Sequence, residues 1–219
     1  MPAEGDATST QRTAIEAFSR GSHLTQEERW DAAERCFSIA WQLSHVALAR
    51  YNQAVALRAL GRYLEARVAF DEATSAGLDA ERSTEATAMR AEVASSVATL
   101  RIDGVSVDAA EIELDGDPVA RGAEATVRVE CDPGRHTLIV RAPGYTPFTW
   151  SGDVVAGTTA PVTVALEHLP SGGGGVLEEP WFWVVVGAIV VGTGIGLGIY
   201  AQDQAQFCGE AASGFVVRL

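Results

Sequence analysis

The sequence predicts a multi-domain chain: an all-α helical repeat, a small all-β domain and a C-terminal transmembrane helix. Three observations carry this. Two stretches of the first part match each other at an offset of 33 residues, Leu24 answering Leu57. After Thr99 the apolar period changes from that of a helix to the period of two that strands require. From Trp181 to Tyr200 the chain carries no charge. The boundaries that follow are 1–98 for helices ending in a capping helix, 99–168 for strands, 169–180 for a linker, 181–200 for the span and 201–219 for a short tail.

In the helical part Trp30 answers Tyr63, Ala33 answers Ala66, Phe37 answers Phe70 and Ala40 answers Ala73. Within each copy the Ala, the Phe and the second Ala share one helix face. Gly21 and Ala54 are the small partners on the preceding helices. Taken alone, these positions also suit a plain helical bundle. The pattern resembles a tetratricopeptide repeat, whose Ala-x3-Phe signature recurs at about 34 residues. That resemblance implies stacked hairpins with a concave, protein-binding face. It places Phe18, Ser22, Tyr51, Asn52, Val55 and Arg58 on that face, toward an extended or helical peptide held mainly by apolar contact. Phe18 and Tyr51 would form an aromatic ladder, with Arg58 as a positive point beside it. The third element that two hairpins need runs from Asp79 to about Ala98. Asp79 caps it after Gly77, and Ala86, Met89, Val93 and Val97 form its apolar stripe.

Strands are expected at 99–102, 111–114, 125–130, 136–141 and 161–166, where apolar residues alternate. Asp115-Gly116 suits a tight hairpin, Asp132-Pro133-Gly134 another, and Ala142-Pro143-Gly144-Tyr145 a corner. Such spacing predicts a small sandwich or open barrel. Leu114-Asp115-Gly116, Pro133-Gly134-Arg135-His136 and Ala142-Pro143-Gly144-Tyr145, in that order, resemble the PEGA domain of bacterial and archaeal envelope proteins. Tetratricopeptide repeats followed by a PEGA domain are similar to exported or membrane-attached proteins of myxobacteria and their relatives. The resemblance implies that both domains face the envelope.

A net charge of -13 argues against nucleic acid or an anionic membrane surface as partner, and all 16 basic residues are Arg. Cys36, Cys131 and Cys208 have no metal-like spacing. Asp103, Asp108, Asp115, Asp117 and Asp132 lack the alternation of a calcium loop and read as solvated turn residues. No nucleophile elbow, phosphate loop, zinc-protease helix or dinucleotide fingerprint occurs. The four histidines, His23, His45, His136 and His168, lie in separate elements. Neither catalysis nor a cofactor or metal is expected.

Gly172 to Gly175 form a flexible tether. The uncharged stretch beyond it is long enough to cross about 30 Å of hydrocarbon, with Trp181, Trp183 and Tyr200 at its ends. Ala188, Gly192 and Gly196 recur every four residues, a stripe that lets two helices pair closely and permits a homodimer. The first residues, Met1 to Asp6, have neither the basic start nor the apolar run of a signal peptide. Read literally, the chain is tail-anchored with its domains in the cytoplasm, whereas the resemblance implies the envelope side. The expected function is a non-enzymatic, membrane-anchored adaptor or scaffold that holds a protein partner. The alternative is a structural protein whose β module contacts cell-wall or surface polymer.

Overall fold

The computed structural model describes residues 4–122 and 124–169. They divide into two compact units, one holding residues up to Ala56 and the other beginning at Leu57.

The first unit is built on α1 (Glu4–Gln26), α2 (Trp30–Ser44) and the beginning of α3 (Ala47–Ala59). Between α1 and α2, Glu28 adopts a left-handed backbone (φ 57°) and the Arg29 N–H bonds the Leu24 carbonyl at 2.9 Å, closing α1. The apolar faces of the two helices meet along Ala17, Leu24, Ala33, Phe37 and Ala40, all buried. Gly21 permits the close approach: a Cβ there would stand 2.8 Å from Cε1 of Phe37, so the ring rests on bare helix backbone. Removing Phe37 and Leu24 from water contributes about 1.5–3 kcal/mol each. The α2 helix ends where His45 turns left-handed (φ 51°) and donates its N–H to the Trp41 carbonyl at 2.8 Å.

The second unit contains α4 (Tyr63–Ser75), α5 (Ala80–Ser96) and seven strands: β1 (Ala98–Val105), β2 (Glu111–Leu114), β3 (Asp117–Arg121), β4 (Glu124–Cys131), β5 (Gly134–Arg141), β6 (Phe148–Val154) and β7 (Thr159–Thr163). The α4 and α5 helices pack on each other and bury Phe70, Ala73, Ala86 and Val93, while Arg90 of α5 pairs with Asp71 of α4 at 3.0 Å. Asp79 caps α5 by accepting the Arg82 N–H at 3.0 Å. The strands form a three-stranded sheet in the order β4-β1-β7 and a four-stranded sheet in the order β3-β2-β5-β6. One apolar cluster takes the alternate residues of both: Leu100 and Ile102 of β1, Val127 of β4 and Val162 of β7 with Ile112, Leu114, Leu138 and Val140 of β2 and β5.

The structure corrects the expected fold class. Among the described residues five helices are followed by two sheets, and the helical part is not a tetratricopeptide repeat. The helices run 23, 15, 13, 13 and 17 residues, so the pair α1 and α2 is not copied by α3 and α4. The matched Ala, Phe and Ala residues lie on α2 and α4, where a small-large-small face suits any helix pressed closely against a neighbour. The strand region also departs from the expected one, as two sheets of three and four strands. Its three-stranded sheet is mixed, because β1 pairs antiparallel with β4 and parallel with β7, Leu100 standing opposite Val129 and Ala160. Two strands, β3 and β6, lie where none is expected. No helix among the described residues is long and apolar enough to cross a membrane. The expected span 181–200, with Ala188, Gly192 and Gly196, lies outside the described residues.

Candidate functional site

The first unit contains a pocket of about 250 Å³. Its longest wall is one stripe of α1: Gln11, Ala14, Ile15 and Phe18 follow the spacing of neighbours on a helix surface. Ala40 and Ser44, one turn apart at the end of α2, form the floor, and Val46, Leu48 and Ala49 close the side where α3 starts. The left-handed turn at His45 joins this end of α2 to Val46 and the start of α3. Ile15 and Val46 are 62% and 53% exposed, so two large apolar side chains face water at the rim.

The lining offers shape and apolar surface. Ser44 uses its hydroxyl locally, donating to the Ala40 carbonyl at 2.6 Å and accepting the Val46 N–H at 3.3 Å. Phe18 is fixed by an edge-on contact with Phe37, ring centres 5.6 Å apart. Gln11 is the other polar lining residue, and no carboxylate, imidazole, thiol or guanidinium is among the residues that form the walls. The volume lies below the roughly 300–1,000 Å³ of clefts that enclose a small molecule.

Of the residues expected to bind a peptide, Phe18 lines this pocket. Ser22 lies one turn further along α1 and donates its hydroxyl to the Phe18 carbonyl at 3.0 Å. Tyr51 is 7% exposed and presents little surface, and Asn52 and Val55 are half-buried on α3. Arg58 belongs to the second unit, where its guanidinium meets Glu92 Oε1 at 2.6 Å. Sequence reasoning missed Ile15, Val46 and Leu48. The 11, 14, 15, 18 spacing on α1 was the available signal, but the turn residue Val46 and the first turn of α3 join it only through the reversal at His45.

The second unit carries a polar cluster where its turns meet α4. The His136 ring lies against Asp115 of the β2–β3 turn, and Asp132 of the β4–β5 turn accepts the Leu64 N–H at 2.9 Å. Arg67 of α4 holds Glu130 of β4 through two bonds of 2.6 and 3.2 Å. That bond pushes the Glu130 carboxyl below its ordinary 4.5, against the smaller opposing effect of burial. Among the described residues no group of three or more His, Cys, Asp and Glu is placed to hold a metal ion. No protein-family model matches the chain, and no curated protein matches it either.

Proposed function

We propose that the chain is a non-enzymatic binding module, an adaptor that captures an apolar side-chain cluster of a protein partner in the pocket between α1, the end of α2 and the start of α3. The supporting observation is the pairing of an apolar pocket of about 250 Å³ with two exposed rim residues, Ile15 and Val46. An apolar knob entering that space would cover both rim side chains and leave no lining charge desolvated. Walls without an acid or a base, whose one hydroxyl, Ser44, is bonded to nearby backbone, favour binding over chemistry. The net charge of -13 favours a partner that is not a nucleic acid.

A membrane attachment through 181–200 completes the reading and rests on that segment's sequence alone. An adaptor held there would keep its partner at the membrane surface.

The test is photo-crosslinking of the full chain in native membranes, from a benzophenone residue placed at Gln11 on the rim. One partner whose crosslinking falls about tenfold when Ile15→Ser and Val46→Ser are combined, with the melting temperature unchanged, supports the reading. Equal crosslinking in that variant overturns it. Deleting 181–200 should move the protein to the soluble fraction, and its recovery in membranes would refute the attachment.

A further inference from the structure

His136 is hydrogen-bonded through both ring nitrogens. Nδ1 lies 2.6 Å from Asp115 Oδ2, and Nε2 lies 2.6 Å from the backbone carbonyl oxygen of Asp132. A carbonyl oxygen only accepts, and so does an ionised carboxylate. A neutral imidazole has a single N–H, so both bonds are made together only by the imidazolium. In the neutral ring one nitrogen would turn its lone pair on an oxygen at contact distance. Asp115 is held for this role: its Oδ1 accepts the Thr137 N–H at 2.8 Å, and its own N–H donates to the Thr137 carbonyl at 2.9 Å.

The charged groups facing the ring are Asp115 from the β2–β3 turn and Asp132 from the β4–β5 turn, both acidic. Burial pulls the imidazole pKa down, and the bonds and charges of these two residues outweigh it, leaving it above the ordinary 6.5. Cys131 belongs to the same cluster, its thiol pushed up first by burial and then by the charges of Asp115 and Asp132.

Asp132 carries the consequence to the helix. The residue before α4, Arg62, makes no side-chain capping bond, and Asp132 Oδ1 supplies one from a distant turn by accepting the Leu64 N–H at 2.9 Å. Its carboxylate also lies at the positive end of the helix dipole. The residue that caps α4 through its side chain is therefore gripped by His136 through its backbone.

We propose that His136 is a pH-sensitive latch: as the imidazolium it clamps the β2–β3 turn to the β4–β5 turn and holds Asp132 on the N-terminus of α4, and its deprotonation releases that end of the helix. The raised pKa sets the direction. The latch is fully made below about pH 6.5 and is lost as pH rises through the higher folded-state value.

Two nuclear magnetic resonance measurements on the full chain test this. Nitrogen shifts of the His136 ring followed with pH should show both nitrogens protonated at low pH and a midpoint above 6.5. Amide exchange at Leu64, normalised to its intrinsic rate, should lose protection through the same midpoint, about tenfold for each unit by which the midpoint exceeds the unfolded value. Asp115→Asn, which tolerates the left-handed backbone of that turn, should lower the midpoint and carry the loss of Leu64 protection down with it. A midpoint below 6.5, or Leu64 protection that stays flat through the His136 titration, overturns the proposal.

Discussion

Gln53 of α3 donates its side-chain amide to Glu34 Oε1 of α2 at 2.7 Å, and both residues are buried. The carbonyl end of the same amide accepts from Arg50 Nη1 at 2.6 Å. The amide thus spans a base and an acid and satisfies both of its own ends, which is how a polar group is retained inside a helix pair. Replacing Gln53 with Leu removes a donor from Glu34 and an acceptor from Arg50 at once. The expected loss is about 1–3 kcal/mol, and Gln53→Glu should cost at least as much by placing a second carboxylate against Glu34. Urea denaturation of the three proteins at neutral pH measures both.

Gly21→Ala sets two effects against each other. Alanine improves helix propensity by about 1 kcal/mol, but its Cβ would stand 2.8 Å from a ring carbon of the fully packed Phe37. Overpacking costs about 1–3 kcal/mol and should win. Phe37→Leu in the same chain makes room, so the double variant should lose less than the sum of the two singles. Additive losses in thermal melts would show that the glycine is not in steric contact with the ring.

In the β2–β3 turn Asp115 (φ 54°) and Gly116 (φ 92°) both take left-handed backbone. A Cβ at Gly116 would meet nothing within 4 Å, so Gly116→Ala probes backbone conformation alone. The expected loss is about 1–2 kcal/mol, read as a shift in the denaturation midpoint at constant slope.

The Arg67–Glu130 pair gives stability a pH dependence on the acid side. Because the folded-state pKa of Glu130 is depressed below 4.5, its contribution is present above that value and is lost as pH falls through the folded one. Arg67→Met should leave a shallower decline on acidification than the wild-type chain shows. The difference should be small, since Glu130 is half-exposed and its pair is screened by solvent and salt. Denaturation midpoints from about pH 3 to about pH 7 check it.

Local chemistry was legible wherever a residue's role depends on its near neighbours. Asp79 was readable as the cap of α5, and Asp115-Gly116 as a hairpin turn, because each is governed by the few residues beside it. The apolar alternation of β1, β2, β4 and β5 was equally plain. The β3 and β6 strands were hidden, because Pro118 in the one and Ser151-Gly152 in the other carry the composition of turns. Pro118 sits on β3, which ends the sheet, beside a register shift between Ile112 and Glu113, so its missing N–H interrupts no inner pairing. Gly152 of β6 leaves room for the Trp150 indole, with which a side chain there would collide.

Helix faces, strand faces and turn positions were readable from the chain alone, along with its acidic balance. Those properties follow from side-chain periodicity and local backbone preference, which act over a few residues. Long-range packing set that β7 runs parallel to β1, that the matched Ala-Phe-Ala faces are not successive repeats, and that Ile15 and Val46 share the rim of one pocket. It also decided that His136, Asp115 and Asp132 converge at the start of α4. Each of these depends on which distant segments bury their apolar faces together, and that choice belongs to the free energy of the whole packed chain.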